Sequence, residues 1–431
     1  MVYMEQLSEK PLYTFALFSD VHIDEEKFGQ TPSSWWPYST LHWKTALDFA
    51  AALNVDFIVS AGDQVTNANP ANLIHEWETF QTVFADSSYV NPIYCALGNH
   101  ETRHESFAEQ HRQSFRFSSG LNSCPETLKS GLSYYSFLEQ KSGDLFLMMA
   151  LEKGFNPPGQ EQFSDAQLDW LETMLTDNYG KKNIFVVQHA LVKGFGPGDL
   201  SSDPYYGGGL SCDFSGVKRF LNILSNYPDV IWISGHSHLD FCENLNYSND
   251  NGKMCHMVHC GCVSNPTRFN QSSHKLDYVF DKNISQGYLV KVYKERIVFE
   301  PYNLCDSKLY EKQILYVPSA VFSEKRSFKK PDGDKVPVVL DKSNLDVRDF
   351  ISSLAGRNLL EKAKTFLQQK KSFALYAQYQ AVKKYVSLFS ATANQSLWEQ
   401  QLLNIAMHRG SMSSMLQVSY PIFKNPLFIQ G

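Results

Sequence analysis

Five apolar runs of this sequence end on clustered polar residues: "SDVHID", "AGDQV", "GNHE", "VVQHA" and "SGHSHLD". They supply Asp20, His22, Asp63, Asn99, His100, His189, His236 and His238. Taken singly, each has an ordinary explanation. Aspartate after a strand often caps a helix, and a lone histidine is more often a hydrogen-bonded core residue than a ligand. The set is different in kind. Five of the 13 histidines follow apolar runs directly, always beside Asp, Asn, Gln or Gly. Imidazole nitrogen with carboxylate or carbonyl oxygen suits borderline divalent metals such as Mn, Fe, Zn, Co or Ni. No cysteine falls in the set, which disfavours a soft thiolate site. Seven ligands are too many for one ion and suit two ions that share a carboxylate. Two ions ~3.5–4 Å apart generate hydroxide and clamp an in-line displacement at phosphorus.

Such a set needs elements that bring distant positions together. "LYTFALFSD", "VDFIVSAGD" and "NPIYCALGNH" read as strands, separated by the helical patterns "STLHWKTALDFAAALN" and "NLIHEWETFQTVFAD". In the first helix, Leu41, Ala46, Leu47, Phe49, Ala50 and Leu53 have helical spacing. "GLSYYSFLEQKSGDLFLMMAL" reads as a hairpin turning at Ser142-Gly143. "SDAQLDWLETMLTDNYG" is a helix with Ser164 as N-cap and Gly180 as its stop. "KNIFVVQHA", "DVIWISGHSH" and "KMCHMVHCGCV" are further strands, and "GYLVKVYKERIVFEPYN" is a closing hairpin. This alternation predicts an α/β fold whose sheets have parallel portions, with sites at the carboxyl ends of the strands.

The chain has 431 residues, 43% hydrophobic and 19% charged, a composition that can bury a sizeable core. Its net charge of -6 argues against broad electrostatic binding of nucleic acid. No apolar run approaches the ~20 residues that span a bilayer. The start, "MVYMEQLSEKPLYTF", lacks a basic segment followed by an apolar one, so a cytoplasmic protein is expected, with no membrane partner. Of eight cysteines, only Cys255, Cys260 and Cys262 cluster, in "CHMVHCGC". The surrounding valines favour a strand carrying reduced, buried thiols over a zinc knuckle.

The motif order D-x-H, G-D, G-N-H-E, H, G-H-x-H resembles that of the calcineurin-like metallophosphoesterases. It stands here as "DVH" at 20–22, "GD" at 62–63, "GNHE" at 98–101, His189 and "GHSH" at 235–238, and the resemblance covers roughly residues 11–305. It implies a four-layer α/β/β/α sandwich with two divalent metal ions, Mn, Fe or Zn, at the strand ends. By that resemblance Asp20, His22 and His238 would hold the first metal, Asn99, His189 and His236 the second, and Asp63 would bridge them. His100 would be catalytic, facing the phosphate and aiding departure of the leaving oxygen. Chemistry agrees, since the leaving alkoxide needs a proton and histidine supplies one near neutral pH. A blander role for His100, orienting Asp20 or a neighbouring carbonyl, is compatible with it. Glu101 completes the signature without an evident task.

Departures narrow the branch. "GDQVTNA" stands where phosphoprotein phosphatases carry "GDxVDRG", and "QVTNAN" lacks the tyrosine ligand of purple acid phosphatases. What remains resembles the class III cyclic nucleotide phosphodiesterases and other small-molecule phosphodiesterases. The expectation is a phosphodiesterase for a small molecule or nucleotide, working through a metal-bridging hydroxide. A phosphomonoesterase or nuclease of the same superfamily is the alternative, and a non-catalytic metal-binding scaffold the rival from another class. Arg103 and His104, behind the G-N-H-E motif, and Trp35 and Trp36, in "KFGQTPSSWWPYSTLHW", are candidate substrate contacts. For the tryptophans, an aromatic plug over the sheet edge weighs equally. The glycine-rich "VKGFGPGDLSSDPYYGGGLSCDF" reads as a pocket wall or a long surface loop.

Three regions are expected: a metallophosphoesterase domain over 1–305, a connecting segment over 306–340 around "SEKRSFKKPDGDK", and a mainly helical region over 341–431. The last could build a lid or a contact with a second copy of the chain.

Overall fold

The computed structural model describes residues 10–24, 36–66, 73–102, 134–152, 163–193, 195–199, 209–211, 214–243, 245–270 and 275–320. The chain divides into two units, Met1–Pro337 and Val338–Gly431, and every described residue belongs to the first. The expected helical region over 341–431 lies outside the described residues.

Strands β1 (Tyr13–Phe18), β2 (Phe57–Ser60) and β3 (Ile93–Cys95) pair in parallel. Helix α1 (Ser39–Ala52) links the first two and α2 (Leu73–Ala85) the next two. The hairpin β4 (Tyr135–Leu138) and β5 (Leu145–Met148) opens a second sheet. Helix α3 (Asp165–Asn178), β6 (Ile184–Val187), α4 (Ser215–Ser225) and β7 (Ile231–Ser234) follow. The sheet is completed by β8 (Tyr247–Ser248) and β9 (His256–His259) in the order β4-β5-β6-β7-β9-β8. A separate hairpin, β10 (Thr267–Asn270) and β11 (Lys275–Tyr278), comes next. The chain then returns to the first sheet with β12 (Gln286–Val292) and β13 (Arg296–Asn303), antiparallel to each other, β12 lying against β1. Finally β14 (Lys308–Leu309) and β15 (Leu315–Pro318) pair with β13. The sheet therefore runs past residue 305, into the stretch that the sequence reading treated as a connecting segment.

The layers follow from where aromatic rings go. Between the sheets, Phe15 of β1 sets its ring edge-to-face against Phe146 at 5.4 Å and Phe185 at 5.7 Å. Phe57 does the same to Phe146, which stacks on Phe185 at 4.4 Å. This β/β interface is aromatic, and such pairs contribute roughly 0.5–1.5 kcal/mol each beyond the area they bury. Outside the first sheet, Trp43 of α1 stacks on Phe80 of α2 and sets its edge to Phe18. Outside the second, Phe220 of α4 meets Trp232 of β7. The expected α/β/β/α sandwich is thus what the packing builds.

Two details differ from the sequence reading. Leu41 and Leu53 are exposed, because the inward face of α1 runs through Trp43, Ala46, Leu47, Phe49 and Ala50. Helix α4 was not anticipated, although Val217, Phe220, Leu221 and Leu224 have the spacing of one buried face. The anticipated helix stops hold. The Ser164 side chain accepts the Gln167 N–H, and Gly180 takes a left-handed φ of 72°.

At the end of the sandwich where β1 starts, Asp144 is buried without a cationic partner among the described residues. It accepts hydrogen bonds from the Tyr13 hydroxyl, the Asn183 backbone N–H and the Asn183 side-chain amide, all at 2.8–3.0 Å. The Asn183 carbonyl oxygen in turn accepts from Ser319 Oγ and Ala320 N. Both sheets meet on this network. Asp144→Ala leaves three buried donors unpaired and is expected to lower unfolding free energy by about 2–4 kcal/mol in urea melts. A loss well under 1 kcal/mol would show that the network does not join the sheets.

Candidate metal centre

The parallel strands deliver the polar clusters to one end. Past β1 and β2 the ladder continues through the loops: Asp20 N–H donates to Gly62 O and His22 N–H to Asp63 O, both at 3.0 Å. Gly235 N–H donates to His189 O, tying the ends of β6 and β7. Val263 and Ser264, beyond β9, donate to the carbonyls of Ser19 and Asp20 and join the second sheet to the first. Eight described non-glycine residues have positive φ, and five of them are Asp20, His22, Asp63, His236 and His238. Left-handed backbone is unfavourable for such residues and persists where the surroundings over-determine it. Here the inter-loop hydrogen bonds hold it, and the reversed backbone turns each side chain inward. Two glycines make room. A Cβ on Gly98 would lie 2.1 Å from Asp63 Oδ1, and one on Gly235 would lie 2.0 Å from Ser19 Oγ.

The side chains converge in three overlapping groups: Asp20, His22 and His238; Asp63, His189 and His236; and His22, Asp63 and His100. Asp20 and Asp63 are almost fully buried. His238 Nε2 is 3.2 Å from Asp20 Oδ1 and 3.0 Å from His22 Nε2. His189 Nε2 is 3.0 Å from Asp63 Oδ2, and His22 Nε2 is 3.8 Å from the same oxygen. Asn99 Oδ1 lies 2.8 Å from His236 Nδ1, and Gly209 N–H donates to His236 Nε2 at 3.1 Å. The glycine-rich stretch therefore touches the centre at Gly209; its residues 200–208 lie outside the described residues.

Whether this donor set fits cations can be judged from its lone pairs. His189 Nδ1 donates to Ala61 O at 2.9 Å, and His238 Nδ1 to Asn265 O at 3.0 Å. In each neutral ring the Nε2 lone pair then faces carboxylate oxygens, and in His238 a second imidazole as well. Lone pairs aimed at one another repel unless a proton or a cation lies between them. The charge balance repeats the point. Burial alone would lower His189, but the Asp63 and Asp20 carboxylates raise its pKa to about 9. Burial dominates at His22 and His236 and pushes both down to about 3. The set fits divalent ions.

Glu101 acquires a task. Fully buried, it accepts N–H groups from Asp63, Gln64, Val65 and Gly98 at 2.7–3.2 Å. Burial and the neighbouring Asp63 push its pKa up to about 8, while those amides pull the other way. It clamps the G-D loop to the G-N-H-E turn, and its place in the signature was the only trace of this in the sequence. The turn also sets His100, whose backbone N–H donates to Asp63 Oδ1 at 2.9 Å and whose Nδ1 donates to Thr66 O at 2.5 Å. That leaves Nε2 facing the centre, 3.9 Å from Asp63 Oδ2.

Trp36 lies flat on His22, with ring centroids 4.0 Å apart and planes 9° from parallel. Trp35, Arg103 and His104 lie outside the described residues. Cys255, Cys260 and Cys262 are separately buried and belong to none of the three groups. Cys262 Sγ instead sits 3.2 Å from His238 Nδ1. No helix among the described residues is long and apolar enough to cross a membrane.

A two-sheet sandwich with a buried cluster of acid, amide and imidazole at its strand ends defines a class, and comparison places the chain in it. Residues 13–240, over half of the sequence, match the calcineurin-like phosphoesterase model, and the chain belongs to that family. Family and candidate metal-binding groups together mark it as a metal-dependent phosphoesterase. Among solved structures it is similar to a dimetal phosphatase from Danio rerio, with 14% identity over 72% of this chain and 99% of that one, at a TM-score of 0.48. It is also similar to a purple acid phosphatase from yellow lupin (Lupinus luteus) seeds, with 14% identity over 71% of this chain and 53% of that one, at a TM-score of 0.47. No curated protein matches the chain significantly.

Two outcomes follow from this geometry. Glu101→Gln cannot accept four amides and turns an NH2 group toward N–H donors, so metal affinity should fall about 10–100-fold with the protein still folded. Unchanged affinity in a metal titration would contradict the clamp. Because the raised His189 pKa means that a proton occupies the metal-free site at neutral pH, binding must expel it. Affinity should then fall as pH drops below about 9, by roughly tenfold per unit for each proton displaced. Calorimetry in buffers of different ionisation enthalpy reads the released proton directly, and heats independent of buffer would contradict the assignment.

Proposed function

We propose that this protein is a dinuclear metal-dependent phosphodiesterase acting on a small molecule or nucleotide. Asp20, His22 and His238 would hold one ion and Asn99, His189 and His236 the other, with Asp63 between them. The observation that carries this reading is the approach of both groups to Asp63, 3.0 Å from His189 Nε2 and 3.8 Å from His22 Nε2. Divalent ions so held supply an activated water and neutralise the phosphate oxygens.

The chain's own residues do the rest. The phosphate is oriented against the cluster, and His100 presents Nε2 at its edge. With Nδ1–H engaged by the Thr66 carbonyl, the proton on Nε2 belongs to the imidazolium form. Thr66 thus favours a ring that can donate to a departing alkoxide and return neutral. The side chain of Thr66 is itself tied back, its Oγ1 donating to His22 O at 3.1 Å. The acid and the first ligand loop therefore share one anchor. The preference for diesters rests on the departures of the sequence from the phosphoprotein and purple acid branches.

Metal-reconstituted protein should hydrolyse bis-p-nitrophenyl phosphate in preference to p-nitrophenyl phosphate, and cyclic nucleotides test the nucleotide branch. His100→Ala should lower kcat about 10²–10³-fold for alkyl leaving groups and far less for p-nitrophenolate, which needs no proton. Equal losses across a leaving-group series would remove His100 as the acid. Preference for the monoester would remove the diester assignment.

A further inference from the structure

The hairpin β10–β11 has no part in the centre described above, yet it is fastened to it. Thr267 N–H donates to His238 O at 2.7 Å, and Thr267 Oγ1 to Ser237 O at 3.0 Å. The cross-strand partner of Thr267 is Tyr278. Tyr278 presents its edge to His238 at 5.7 Å and to Trp36 at 5.9 Å, each close to perpendicular. Phe280 continues outward from Tyr278, with centroids 6.0 Å apart. A row of rings thus leads from a candidate ligand into solvent: His238, Tyr278, Phe280. Tyr278 is 41% exposed and Phe280 47% exposed.

Single exposed aromatics are ordinary. Two in sequence, held in fixed register to the loop that carries His236 and His238, are a surface with a position. Trp36 stacks directly on His22, whereas Tyr278 meets His238 only edge-on and Phe280 meets Tyr278 alone among the rings of the described residues. Their exposed surface lies beside the loop that carries His238.

We infer that Tyr278 and Phe280 form a ledge for a planar ring carried by the substrate on the ester group that is not expelled. The substrate class is then a phosphodiester with a nucleobase or aryl substituent. This inference rests on the phosphoesterase reading, and it names a recognition element that the metal motifs do not contain. Stacking on an aromatic side chain is sequence-tolerant, so the ledge selects for a ring rather than for one base.

The test uses three diesters that share the p-nitrophenolate leaving group and carry methyl, phenyl or thymidine as the retained substituent. In the full-length, metal-loaded protein, Tyr278→Ala and Phe280→Ala should each raise KM about tenfold for an aromatic diester. For the methyl diester, which has no ring to place on the ledge, KM should change far less, so the ratio of kcat/KM for the aromatic diesters to that for the methyl diester falls about tenfold. Tyr278→Phe should retain the wild-type KM. The phenyl and thymidine arms separate an aryl ester from a nucleotide. Equal effects on all three diesters would overturn the ledge. Binding of methyl phosphate, phenyl phosphate and thymidine 5′-phosphate, followed by tryptophan fluorescence, gives a second readout. If wild type turns over no diester, the phosphodiesterase reading fails. The ledge still stands if Tyr278→Ala weakens the two aromatic ligands selectively, and falls if it does not.

Discussion

Two carboxylates are buried against imidazoles at one end of this molecule, and the remaining structure exists around that fact. Asp20 and Asp63 have almost no contact with water. Isolated carboxylates in such a place would take up protons or unfold the chain. Here the compensation comes chiefly from His189 and His238, whose pKa values the carboxylates raise, with protons standing in wherever cations do not. A site of this kind must be stabilised from outside itself. The aromatic sheet interface and the buried Asp144 network supply that stability at a distance from the cluster.

Precision comes from backbone rather than from side-chain packing. Five candidate ligands occupy left-handed conformations, which cost of order 1–3 kcal/mol each. Hydrogen bonds between loops of different strands hold them there, and Glu101 gathers four amides from two of those loops. The consequence is a centre whose parts cannot move independently. Asp63 receives the His100 backbone on one oxygen and faces His189 with the other, so the acid and the shared carboxylate are set by one turn. Trp36 stacks on His22, and Tyr278 of the neighbouring hairpin is exposed beside the first group.

Much of this was legible in the sequence, for a physical reason. Parallel strands deliver their carboxyl ends to one place, so polar residues that terminate several apolar runs must meet. That logic found Asp20, Asp63, His189 and both histidines of "GHSH" without any contact being known. It could not see Glu101 at work, because four backbone amides leave no residue-type signal. Nor did it find α4, whose buried face has helical spacing but lies behind a loop that drew attention for its glycines. Leu41 and Leu53 have helical spacing with the buried residues of α1 yet stay exposed, and Trp43, whose N–H donates to Phe80 O, takes the core instead. Tyr278 was missed because its role depends on the register of a short hairpin with Thr267, which sequence periodicity does not reveal. The sheet extends beyond residue 305 through strands of two and four residues, too short for alternation to register.

If Asp63 is shared between two ions, metal counted in purified, reconstituted protein with and without that carboxylate shows it. Elemental analysis should find two equivalents per chain in wild type and one or fewer in Asp63→Asn, with both proteins folded by circular dichroism. A wild-type chain that saturates at one equivalent, or an Asp63→Asn variant that still binds two, would contradict the account.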